Sequence, residues 1–110
     1  MMLSTSSILT ILESDLDNDQ GIIPGSIVKH FKHELLTEED LIKDPLKYTY
    51  TVICFAKDAD TCENYVVYVA NYDNSTSKIW IRKAMEFFSE VDHNKYPTVK
   101  QKYKYELIKE

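Results

Sequence analysis

Glycine is almost missing from this chain: its 110 residues include two, Gly21 and Gly25, both in one short stretch. The Walker loop and the dinucleotide fingerprint each need several glycines at fixed offsets, because the backbone must turn tightly and approach a phosphate with no Cβ in the way. That shortage argues against a nucleotide-dependent motor and a classical dehydrogenase. Cysteine is equally scarce. Cys54 and Cys62 are too few and too far apart for a zinc site, and His30, His33 and His93 do not complete one. No metal and no cofactor are expected. Long apolar runs are absent too: the longest clean one, Tyr65 to Ala70, falls far short of the roughly 18 residues of a membrane span. No basic segment leading into an apolar one marks a secretory leader. These absences predict a cytoplasmic protein with reduced thiols and no membrane association.

What is present suits one folded domain. With 44% hydrophobic and 28% charged residues, a chain of this size can bury a single core without disulfides or metal. The net charge of -5 works against sequence-blind binding to nucleic acid. Charge is unevenly spread: residues 1–77 carry five basic against thirteen acidic side chains, and residues 78–110 carry eight against five. Lys95, Lys100, Lys102 and Lys104 concentrate the basic excess. They read first as a solvated face guarding a sheet edge. The alternative is a single-stranded nucleic-acid surface, with Tyr96, Tyr103 and Tyr105 as stacking partners.

Periodicity divides the chain. Ile8, Leu9, Ile11, Leu12 and Leu16 share one side of a helical wheel, so residues 1–20 read as a helical extension and acidic linker, and residues 21–110 as one β-rich domain. A first strand is expected over Ser26 to Phe31. Thr37, Glu38, Glu39 and Asp40 form a capping-box start for a short helix through Lys43, which Pro45 closes from beyond its end. Residues 48–57 and 64–72 read as a hairpin around a turn of Asp58, Asp60 and Thr61. Alternation there makes Cys54 a core neighbour of Val52 and Ala56, and the second strand central, since Val67 and Val69 on one face and Val66, Tyr68 and Ala70 on the other are all apolar. Asp73 to Ser77 is a turn, Lys78 to Arg82 a fourth strand, Lys83 to Ser89 helical, and Tyr103 to Ile108 a closing strand. The expected fold is mainly β, a small five-stranded SH3-like barrel with a helical insertion and an N-terminal helix. An α+β open antiparallel sheet with helices on one face is the alternative.

Pro24 and Gly25, followed by Lys29, His30, Phe31 and Lys32, open a series of short motifs. Tyr50, Val52 and Ala56 come next, then Thr61, Glu63, Val66, Val67, Tyr68, Ala70 and Tyr72, then Trp80, Arg82, Met85 and Phe87 or Phe88. In this order and spacing the set resembles the bacterial domain of unknown function 1653 family, over roughly residues 22–108. The N-terminal helix lies outside the common domain, the Glu38–Lys43 helix reads as an insertion, and Lys83 and Glu86 depart from the family's Trp-x-Arg-Pro…Met-Phe run. The resemblance implies no activity and brings no catalytic or ligand assignments.

Chemistry must then come from the residues. A nucleophile needs a base beside it, and Cys62 with His30 is the pairing offered for a small His-dependent enzyme; Asp60 with Glu63 is the carboxylate pair. The more coherent set is aromatic and basic. Trp80 and Arg82 share a strand face by period 2, and Tyr68 and Tyr72 share a face of the neighbouring strand. Such residues combine apolar area with a polar handle, as binding hot spots do. Arg82 can grip a carboxylate or phosphate bidentately and His30 can add a donor. The opposing reading makes Trp80 a core plug and Arg82 the cross-strand partner of Glu63. Trp80, Arg82, Tyr68, Tyr72, His30 and Glu63 are thus the candidate site of a non-catalytic binding module for a peptide, a protein or a small anionic ligand.

Overall fold

In the computed structural model, which describes residues 18–72 and 79–108, the runs rich in β-branched and aromatic residues form five antiparallel strands. These are β1 (Ile27–His30), β2 (Thr49–Lys57), β3 (Asn64–Ala70), β4 (Ile79–Lys83) and β5 (Tyr105–Leu107), in the spatial order β4-β3-β2-β1-β5. Two short α-helices join them, α1 (Glu38–Lys43) and α2 (Ala84–Phe87), with a 3-10 turn over Phe31–Leu35. The expected N-terminal helix falls in residues 1–17, and the Asp73–Ser77 turn and Lys78 in 73–78, so these lie outside the described residues. Asn18 and Gln20 are already tied to the domain, through bonds from their side-chain amides to the carbonyls of Ile22 (2.8 Å) and Phe88 (3.1 Å). Among the described residues no helix is long and apolar enough to cross a membrane.

Local signals act where they stand in the sequence. Pro24 and Gly25 occupy the middle of a turn closed by Ser26 N–H on the Ile23 carbonyl (2.9 Å), with Gly25 at φ +92°, where a side chain would be strained. At α1 the Thr37 hydroxyl accepts from the Asp40 N–H and the Asp40 carboxylate accepts from the Thr37 N–H, a complete capping box. The helix buries nothing, which suits its reading as an insertion. At the hairpin tip Asp58 Oδ1 accepts from the N–H groups of Asp60 and Thr61.

Two expectations fail for reasons of backbone geometry. The register of β2 against β3 shifts between Val52 and Cys54. Before this bulge the even positions Tyr50 and Val52 point into the core; after it Phe55 does, and Cys54 sits half-buried on the outer face opposite Val67. Unbroken alternation therefore misplaced Cys54, because one extra residue reverses every later side chain. The second failure is closure. Tyr68 on β3 and Tyr105 on β5 are three strand steps apart, roughly 14 Å across a flat sheet, yet their ring centroids are 5.7 Å apart. The sheet coils until its edges face each other, but β4 and β5 pair with β3 and β1 alone. Among the described residues it is an open antiparallel sheet, and the barrel is not closed. The cause is α2, which starts straight after β4 and drives Phe87 into the gap, stacked on Tyr105 at 4.1 Å and against Tyr68 at 5.4 Å.

The main core joins Ile22, Val28, Tyr50, Val52, Phe55, Val66, Tyr68, Ala70, Ala84, Phe87 and Tyr105 on the inner face. A satellite core of Phe31, Val91 and Val99, with Tyr96 against it, sits below the segment before β5. That segment is held by polar side chains. The Glu34 carboxylate accepts the N–H groups of Lys100 (3.0 Å) and Gln101 (2.8 Å), and the buried Gln101 amide donates to the carbonyls of Lys29, Tyr103 and Lys104. The outer face of β3 and β4 stays apolar, with Val67 and Val69 beside Ile79 and Ile81, the last 66% exposed.

Phe87 is fully buried, so Phe87→Ala should lower the unfolding free energy by about 3–5 kcal/mol in urea denaturation. A loss within the range of an ordinary surface substitution would contradict its place as the wedge between the sheet edges.

Candidate functional site

The inner-face positions converge at one end of the coiled sheet. Register places Tyr68 opposite Trp80, Val66 opposite Arg82, Tyr50 opposite Ala70 and His30 opposite Tyr105. Ala70, the small residue between Tyr68 and Tyr72, leaves room for Tyr50, whose ring meets Tyr68 edge-on at 5.3 Å and Tyr72 at 5.6 Å. Tyr50 and Tyr72 hydroxyls bond at 2.8 Å; those of Tyr68 and Tyr105 lie 3.4 Å apart. Arg82 Nε donates to the Tyr68 hydroxyl at 3.3 Å, and Tyr68 in turn meets Tyr105 of the opposite edge strand. Trp80 is half-buried against the main core. It is neither a sealed plug nor a free surface ring.

His30 closes the cluster from β1. Its ring lies edge-on to Tyr105 at 5.0 Å and 6.2 Å from Tyr48. Its Nδ1 accepts the Lys32 N–H at 3.1 Å, capping the 3-10 turn, so the neutral ring carries its proton on Nε2. Burial first, then the charges of Lys32, Arg82 and Lys104, push its pKa from 6.5 down to about 4. The tyrosines move the other way. Burial, followed by the bond to Tyr72, raises the Tyr50 hydroxyl far above its ordinary value, and burial with the bond to Tyr68 does the same to Tyr105. At neutral pH they are O–H groups, not phenolates.

Five of the six residues singled out from the sequence, Trp80, Arg82, Tyr68, Tyr72 and His30, come together here. Glu63 stands apart: its carboxylate pairs with Lys83 Nζ at 3.3 Å beside the hairpin tip. The carboxylate near Arg82 is Glu86, one helical turn on at 3.8 Å. Both of its partners are substantially exposed, and such a pair contributes about 0–1 kcal/mol. Tyr105 and Tyr48 went unassigned to this cluster in the sequence. Tyr105 had been grouped with the C-terminal lysines, although its alternation with Leu107 carried the inward signal. Tyr48 keeps period 2 with Tyr50, but its φ of +64°, rare for a residue with a side chain, has no sequence mark. It sets the Tyr48 ring 6.0 Å from Tyr72.

The remaining pairings do not assemble. β1 lies beside the Thr49–Thr51 end of β2, whereas Cys62 is at the far tip of the β2–β3 hairpin, so Cys62 and His30 are at opposite ends. Asp60 is exposed in the tip and Glu63 is engaged by Lys83. Among the described residues no group of three or more His, Cys, Asp or Glu is placed to hold a metal. Of the three tyrosines of the alternative stacking surface, Tyr105 is buried under Phe87, while Tyr96, which packs on Phe31 at 4.8 Å, and Tyr103 stay half-buried with Lys95 and Lys102 over their rings.

The depressed pKa of His30 sets a pH dependence. Between pH 6.5 and about 4 the unfolded chain binds a proton at His30 that the folded one refuses, so stability should fall as pH drops through that window and this contribution should level off below it. An NMR titration should find the ring midpoint near 4. His30→Asn, which retains a capping acceptor, should flatten that part of the acid limb; a midpoint at the ordinary 6.5 would contradict the burial.

No curated protein and no solved structure matches the chain significantly. A family model described as protein of unknown function (DUF1653) matches residues 26–105, from the residue before β1 to the first of β5. The matched span takes in every residue of the cluster from His30 to Tyr105, and the protein belongs to the DUF1653 family.

Proposed function

We propose that the protein is a non-catalytic binding module that holds its ligand against Trp80, Arg82, Tyr68 and Tyr72, with His30 at the side. The observation carrying this reading is the position of Arg82. Its side chain is 42% exposed, yet its Nε donates to the hydroxyl of buried Tyr68 at 3.3 Å. A cation that is partly exposed and tied to a buried hydroxyl has already lost some of the conformational freedom that binding would otherwise cost. Half-buried Trp80, two residues away on the same strand face, supplies apolar area of the kind hot spots use. A small anionic ligand, or one carboxylate of a larger partner, suits a single fork-shaped donor better than a broad protein surface does. Burial holds the Tyr50 and Tyr105 hydroxyls un-ionised and one nitrogen of His30 is committed to the backbone, which favours binding over chemistry here. Bacterial origin, a cytoplasmic setting and kinship of the coiled sheet with SH3-like folds belong to the same reading. They are supported by the family resemblance, the scarce cysteines and the approach of the two sheet edges.

A thermal-shift screen of a metabolite library tests it. Ligands that stabilise the wild type should bind Arg82→Ala and Trp80→Ala at least about tenfold more weakly, equivalent to about 1.4 kcal/mol. Unchanged affinity in folded variants would remove this face from consideration.

A further inference from the structure

We infer that the outer face of β2, β3 and β4 is the docking surface for residues 8–16 of the same chain. It lies opposite the face proposed above to bind a ligand, and neither reading depends on the other. Register sets the surface out in three rows: Ile27, Thr51 and Val69; Cys54, Val67 and Ile81; Ala56, Tyr65 and Lys83. The bulge adds Ile53 to the middle row, because Val52 and Phe55 on either side of the Ile53–Cys54 pair both point inward. None of these side chains belongs to either core. Ile53 is 43% and Ile81 66% exposed, and Lys83, the one charge in the rows, is already paired with Glu63. An antiparallel sheet that leaves one face to water carries polar residues there. β3 instead has the sequence of a strand covered on both sides, and among the described residues it is covered on one. Residues 73–78 join β3 to β4 at the Val69 end of this face, while the middle row lies toward the other end.

Size and tether select the occupant. From β2 to β4 the face is roughly 10 Å wide, and its three rows extend roughly 13 Å along the strands. That is far less than the roughly 800 Å² per partner on which a second folded copy would depend. It matches a helix over residues 8–16, which would be about 13 Å long. There Ile8, Leu9, Ile11, Leu12 and Leu16 share one side of a helical wheel. A tethered segment meets its face at an effective concentration on the order of millimolar, so a small area suffices. The point of attachment agrees. Gln20 bonds the Phe88 carbonyl at 3.1 Å, and Phe88 closes α2, which begins where β4 ends at Lys83. The described chain therefore starts beside the Ile81–Lys83 end of the face, with Leu16 two residues before Asn18. Glu13, Asp15 and Asp17 would pass Lys83, whose charge has the opposite sign.

Cys54, in the middle row, reports on the cover directly. The full chain is prepared with Cys62→Ser, which leaves Cys54 as its single thiol, and alkylation by N-ethylmaleimide is timed. Adding Leu12→Asp should speed the reaction at least about fivefold by opening the cover while the rest of the domain stays folded. Circular dichroism of the sheet should not change. Ser14→Asp, on the polar side of the same wheel, should leave the rate as it was. A short bifunctional maleimide should join the thiol introduced by Leu9→Cys to Cys54 within one chain. Equal alkylation rates with and without Leu12→Asp would overturn the inference. Cross-linked dimers, or a Cys54 rate that falls as protein concentration rises, would assign the face to a second copy and overturn it as well.

Discussion

The stack of Phe87 on Tyr105 is the contact on which the rest of the molecule turns. β4 and β5 are the two ends of the sheet order, and no backbone ladder joins them. Their approach depends on side chains, with Phe87 lying flat on Tyr105 while Tyr68 meets both. A ladder would have closed the edges uniformly along their length. A wedge closes them at one level only, where Phe87 meets Tyr68 and Tyr105, and there Arg82 on one edge reaches the Tyr68 hydroxyl. The curl of the sheet and the gathering of these side chains are thus two results of one packing event.

The placement of charge follows. A guanidinium desolvates at lower cost than an ammonium and can present several donors in a fixed plane, which suits it to lie over a floor of tyrosine hydroxyls. Once it is there, a protonated imidazole at His30 would be a second cation in the same partly dry space, so the ring stays neutral and turns its lone pair to the backbone of Lys32. Burial keeps Tyr50 and Tyr105 un-ionised for the same reason. A donor-rich, cation-bearing cluster results, in a protein whose net charge is negative. The long-range field of the protein and the local field of the site have opposite signs.

Much of this could be read along the chain, and the failures are instructive. The α1 capping box, the Pro24–Gly25 turn and the Asp58 turn are closed within a few residues of themselves, so their signals were sufficient. Alternation put Trp80 with Arg82 and Tyr68 with Tyr72 on single faces, and register then made these one face. Cys54 was misread because a bulge changes the phase of alternation without any distinctive residue. Glu63 reads in the sequence as a cross-strand partner of Arg82, yet Lys83, one residue on, takes it instead at 3.3 Å. Glu34 and Glu106 looked like ordinary surface charges, but each binds two backbone N–H groups of the segment leading into β5. Nothing in their local sequence could announce partners some 67 residues away for Glu34.

Composition and period alone determined that this is a mainly β domain without a glycine-built phosphate loop, with strands where the valines and tyrosines alternate and with an aromatic and arginine face on two of them. Those properties depend on neighbours one to four residues apart, and the chain carries them in any conformation. Tertiary structure alone decided that the sheet stays open, that Tyr105 belongs with Tyr68 and not with the lysines around it, and that His30 is neutral. Each of these depends on the distance between residues remote in sequence, and that distance is set by how far the sheet coils around Phe87, a quantity no local pattern encodes.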